Sequence, residues 1–178
     1  MKMGISQDNC YNCYYNRGEQ MDKGLNDDQI NELFEYCQKA LLKLGLSDKE
    51  YSFALNNYED RVYRKEYDLK VIVPFGSQHP GYYGYYNERK KIMIDADDYL
   101  KNLSNDSVWK IKVLHEIRHA YQHKQVELYD QKYNPNEDES VIMTWKNDFE
   151  IKKTSTSDSR NPTERDAIIY SERNWDKV

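Results

Sequence analysis

Leu114-His115-Glu116-Ile117-Arg118-His119-Ala120-Tyr121-Gln122 is the stretch on which the reading of this chain turns. On an α-helix, positions four apart differ by only about 40° in azimuth, so His115 and His119 project from one face and reach a single metal ion. In the same projection Val113, Leu114, Ile117, Ala120, Tyr121 and Leu128 gather on the opposite side, whereas Val108, Ile111 and Val126 do not fit that stripe. The pattern predicts a long helix over about residues 106–128, with its apolar back to the core and its histidines toward a cleft. Glu116 lies about 100° round from His115, where its carboxylate reaches a water polarised by the metal without itself being a ligand. Two solvated histidines opposite an apolar face are the plain alternative; the scarcity of the pattern in a chain with 4 His weighs against it.

A catalytic zinc site normally has three protein ligands and one open position, so a third ligand is needed. His123 sits a further turn along, displaced about 6 Å axially from His119, and converges poorly; a supporting or exposed role suits it better. Glu164, in Asn161-Pro162-Thr163-Glu164-Arg165-Asp166-Ala167-Ile168-Ile169-Tyr170, is the better candidate. It shares a helical face with Ala167 and Ile168 and so points toward the core side. The same residues also form a capping-box pattern, with Asn161 as N-cap, Pro162 at the first position and Glu164 at the third. Spacing alone leaves ligand and cap both open. Asp166, Glu150 and Asp148 are weaker candidates, and Asp166 is placed to orient a ligand histidine instead.

Working outward, Ile30, Leu33, Phe34, Cys37, Leu41 and Leu44 recur every three or four positions up to Gly45, predicting a core helix. Tyr51 to Leu55, Leu69 to Val73 and Lys91 to Asp95 read as strands, and Tyr82 to Tyr86 pairs with Lys91 to Asp95 across the polar turn Asn87 to Lys90. Two further helices are expected, around 139–151 and from Pro162 to about Asn174. The tyrosines Tyr82, Tyr83, Tyr85 and Tyr86 read as a sheet edge or a substrate-facing rim, and His79 as a surface residue. The expected architecture is α+β: a small, mainly antiparallel sheet flanked by helices. Residues 1–24 read as an irregular lead-in, and residues 25–178 as one domain.

The composition limits what this domain does. Among 178 residues there are 17 Tyr, the hydrophobic share is 38% and the mean hydropathy is −1.05, so tyrosines must supply much of the core. A net charge of −5 argues against a nucleic-acid or anionic-membrane partner. No apolar run is long enough to span a bilayer, and residues 1–16 lack a secretory pattern. Cys10, Cys13 and Cys37 form no disulfide framework, and Cys10 and Cys13 lack the second pair of a structural zinc site. A cytoplasmic location is the expectation.

Leu114 to Gln122 resembles the active-site helix of the zincin metallopeptidases, and Glu164 to Tyr170 is similar to the downstream Glu-x-x-Ala-x-x-aromatic element of their gluzincin-like group, which includes the ImmA/IrrE-type peptidases. The resemblance covers roughly residues 91–172. It implies a zincin-like fold, a zinc ion held by His115, His119 and Glu164, Glu116 as general base, a protein or peptide substrate, and an edge strand along the cleft, for which Lys91 to Asp95 is the candidate. Metzincins are excluded, since Gln125 stands where their third histidine falls. Arg118 departs from the small or apolar residue many peptidases carry before the second histidine, and no helix-turn-helix region accompanies the motif. Tyr170 and Arg118 are the candidates for stabilising an oxyanion. A catalytically silent zinc-binding interaction module is the alternative function; a general base beside the metal favours the enzyme.

Overall fold

The computed structural model describes residues 25–56, 83–152 and 160–178. The first helix, α1 (Asp27–Lys43), starts at a reciprocal capping box: the Gln29 amide N–H donates to Asn26 Oδ1 at 3.0 Å, and the Asn26 N–H donates to Gln29 Oε1 at 2.9 Å. Its end is set by Gly45, whose φ of 69° turns the chain so that Leu46 N–H reaches the Leu41 carbonyl and Gly45 N–H that of Leu42. Leu41 and Leu46 are buried together beneath this closure.

Three strands follow, β1 (Ser52–Asn56), β2 (Gly84–Tyr86) and β3 (Lys91–Asp95). They lie in the order β1-β3-β2, with β2 antiparallel to β3 and β1 parallel to it. The sheet is therefore mixed, not mainly antiparallel. The short turn through Asn87–Arg89 and left-handed Lys90 gives the hairpin, while the long stretch between β1 and β3 allows the parallel pair. Lys91 to Asp95 is also not an edge strand; β3 is central, and β2 lies at the edge among the described residues. The proposed strand Leu69 to Val73, Tyr82, His79, Cys10 and Cys13 lie outside the described residues.

After β3, the Asp95 carboxylate caps the short α2 (Ala96–Lys101), accepting from the N–H groups of Asp97 and Asp98. The motif helix α3 (Asp106–Asp130) spans 25 residues and packs against the sheet, α1, α4 (Glu139–Lys152) and α5 (Pro162–Asn174). Val113, Leu114, Ile117, Ala120 and Tyr121 are buried as the periodicity requires, and Leu128 is half-buried. Trp109 anchors the α1–α3 contact, with Tyr36 and Tyr99 meeting its ring edge-on at 5.2 and 5.0 Å. Burying a side chain of this kind contributes about 2 to 3 kcal/mol. The tyrosines indeed serve as core, their hydroxyls reaching backbone carbonyls: Tyr99 to Gln29, and Tyr36 to Trp175. Among the described residues no helix is long and apolar enough to cross a membrane.

Candidate metal centre

The α3–α5 contact brings the histidine pair to Glu164. His115 Nε2 and His119 Nε2 are 3.1 Å apart, and Glu164 Oε2 lies 3.2 and 3.3 Å from them. Zinc bonded at about 2.0 to 2.1 Å in a tetrahedron sets its ligand atoms about 3.3 to 3.4 Å apart. The observed triangle is close to one tetrahedral face, so the residues fit such an ion. A proton between two of these atoms satisfies one contact at a time, whereas a cation would satisfy all three.

Of the two sequence readings of Glu164, ligand position and cap, the geometry favours the first. Asn161 makes no side-chain cap on α5; the first turn is capped from α4, where buried Asp148 Oδ2 accepts from Thr163 N–H at 3.1 Å and from the Thr163 hydroxyl. The Glu164 carboxylate meets the histidines instead. Glu150 is exposed and Asp148 is committed to Thr163, so neither joins the cluster. His123 is apart as well, stacked on Phe149 at 3.8 Å and facing Tyr85 at 5.5 Å.

Gln122 was passed over in the sequence, yet it fixes His119. It is fully buried; its Nε2 donates to the Thr163 carbonyl at 2.9 Å and to Asp166 Oδ2 at 2.7 Å. Both partners only accept, so the amide oxygen must face His119 Nδ1, 2.9 Å away. That places the proton on Nδ1 and leaves the Nε2 lone pair directed at His115 and Glu164, the tautomer a metal requires. The clue in the sequence was positional: a glutamine three residues after His119 shares its helical face. Asp166 thus orients His119 through Gln122.

Of the two oxyanion candidates, Arg118 is engaged with carboxylates, and the Tyr170 ring packs against it. The guanidinium is 7% exposed and pairs with Asp166 at 2.8 and 3.2 Å and with Glu137 at 3.4 Å. The ring centroids of Tyr121 and Tyr170 each lie 4.5 Å from its Cζ. Burial pulls the His119 pKa down, but the bond to Glu164 and the charges of Glu116 and Glu164 outweigh it and leave the value raised. Glu116 and His115 open onto a cavity of about 190 Å³ whose wall also holds Tyr83 and Lys112. Asp98 ties that wall together, accepting from the Tyr83 hydroxyl at 3.0 Å and from Lys112 Nζ at 2.7 Å. Burial, then the Asp98 charge, pushes the Tyr83 hydroxyl pKa well up, so it stays a proton donor.

No protein-family model, no curated protein and no solved structure matches the chain.

Proposed function

We propose that the chain is a zinc-dependent peptidase of the zincin type, acting on a protein or peptide substrate in the cytoplasm. The observation that carries this reading is the convergence of His115, His119 and Glu164 on one point, with Glu116 opening beside it onto a cavity. Zinc held there supplies Lewis acidity that polarises a peptide carbonyl and acidifies a water. His115 and His119 offer neutral nitrogens, and Glu164 supplies the one negative charge of the ligand set. Glu116, one residue after a ligand and outside the triad, takes the proton of the attacking water and returns it to the leaving nitrogen. The edge strand β2 offers backbone groups to an extended substrate, replacing Lys91 to Asp95 in that role.

Metal content of the purified wild type, Glu164→Ala and Glu116→Gln, prepared without chelator, tests the site. About one zinc per chain is expected in the wild type and in Glu116→Gln, and much less in Glu164→Ala. Glu116→Gln should then lose hydrolysis of a peptide library that the wild type cleaves. A wild type that takes up no zinc when supplied with it refutes the metal centre. Equal peptide turnover by wild type and Glu116→Gln refutes Glu116 as the general base, and no turnover by a zinc-loaded wild type favours the silent binding module.

A further inference from the structure

Beyond the triad, at the end of β2, a cavity of about 610 Å³ is lined by Tyr85, Tyr86, Glu88, Arg89, Lys91 and His123. Lys91 is only 3% exposed although it reaches this cavity, and among the described residues no carboxylate pairs with it or with Arg89. Its ammonium lies 5.7 Å from the Tyr86 ring centroid, a cation–π contact that leaves its hydrogen-bond donors unused. A lysine this buried is ordinarily paired. Ser52, its registered neighbour on β1, points to the same sheet face, and its hydroxyl is buried without a partner. A buried hydroxyl left unsatisfied is uncommon, and one beside an ammonium with no carboxylate partner calls for a physical reason.

Charge adds to the argument. The chain carries a net charge of −5, yet this cavity wall sets two cations against the single carboxylate of exposed Glu88. Burial, and then the nearby Arg89, lowers the Lys91 pKa, which is the cost of holding that ammonium without an anion. A bound anion removes it.

We propose that this cavity is a carboxylate-binding subsite centred on Lys91, with Arg89 as the second cation, which takes an acidic side chain or the terminal carboxylate of a peptide. The assignment to a peptide rests on the peptidase reading. His123, in the cavity wall, lies one helical turn or about 6 Å beyond His119, which is about two residues of extended chain. A peptide running along β2 with its reacting bond at the triad therefore delivers a carboxylate here within two or three residues. Tyr85 and Tyr86 supply faces for the aliphatic part of the same residue.

The test uses the full chain, stripped of metal, and follows backbone amide shifts during titration with N-acetylglutamate amide, N-acetylalanine, N-acetylglutamine amide and inorganic phosphate. Both carboxylates should move the amides of residues 86–91 and His123, and the tighter of the two names the source. Lys91→Met should weaken them about ten-fold, the loss of one charge-assisted hydrogen bond. Arg89→Gln, on an exposed turn, should weaken them several-fold and serves if Lys91→Met does not fold. No shift, an equal response to the glutamine amide, tighter binding of phosphate, or binding unchanged in a folded Lys91→Met chain overturns the proposal. Because these probes need neither zinc nor turnover, failure of the peptidase reading leaves the result separately legible.

Discussion

Replacing Gln122 by leucine is the sharpest probe of the centre, because Gln122 touches no metal yet fixes His119. The substitution keeps size and burial but deletes the oxygen that accepts from His119 Nδ1 and the nitrogen that donates to Thr163 O and Asp166 Oδ2. Asp166 keeps Arg118 and the Thr163 carbonyl, in the first turn of α5, keeps its helical bond, so one buried group, the His119 Nδ1–H, loses its partner. Folding stability should fall by about 1 to 3 kcal/mol, read from urea denaturation. Zinc affinity should fall separately, by about ten- to a hundred-fold in competition with a chromogenic chelator, because the ring is free to rotate or to move its proton to Nε2. Gln122→Glu provides the contrast. It keeps an acceptor for Nδ1 but turns a second carboxylate oxygen toward Asp166 and Thr163, so it should hold zinc better than the leucine variant while folding no better. A leucine variant that binds zinc within three-fold of the wild type refutes the tautomer argument.

Arg118→Leu leaves Asp166 and Glu137 without their cation and should cost about 3 kcal/mol of stability, with Arg118→Lys recovering only part because it restores charge without the two-pronged geometry; thermal melts of the three chains check the order. In the metal-free chain the raised His119 pKa means that the folded state holds the proton more tightly than the unfolded state at 6.5. Its contribution to stability is complete below pH 6.5 and is lost as the pH rises through the higher folded value, while zinc, which needs the bare nitrogen, should bind more tightly over the same window and level off above it. Denaturation and zinc titrations in a pH series read both limbs. Burial above all raises the hydroxyl pKa values of Tyr36, Tyr83 and Tyr85 well beyond the ordinary 10.0, so their contribution is intact below pH 10 and lost above it. Ultraviolet titration should show these tyrosinates appearing together with unfolding, and a smooth ionisation of every tyrosine near pH 10 in a still-folded chain contradicts the packing.

Local signals carried most of the fold. Helix α1 was readable because Asn26, Gln29 and Gly45 set its ends within a few residues, and α5 because Pro162 opens it. What escaped depends on contacts between distant residues. Strand direction is a property of the path between β1 and β3, and no residue within either strand encodes it. Helix α2 was hidden because it is six residues long and its cap, Asp95, doubles as the last residue of β3. Glu164 was ambiguous for a related reason: Pro162 and Asn161 satisfy a local capping rule, and only the arrival of Asp148 from α4 shows that the first turn is capped from elsewhere.

Arg118, which departs from the small or apolar residue expected before the second histidine, makes sense once hydrogen-bond polarity is followed along the network. A guanidinium only donates, so Asp166 must accept; a carboxylate only accepts, so the Gln122 amide must turn its nitrogen toward it. The Gln122 oxygen then faces His119 Nδ1, and Nε2 is left bare at the triad. Each link permits only one direction, so a charge buried between α3 and α4/α5 side chains sets the protonation of a ring nitrogen beside Glu164. An alanine or leucine at position 118 removes the two-pronged donor that fixes the Asp166 carboxylate, and with it the acceptor that holds the Gln122 amide nitrogen in place. The arginine therefore helps hold together both the α3–α5 packing and the tautomer of the metal ligand, which is why it is buried under Tyr121 and Tyr170 and not presented to the cleft.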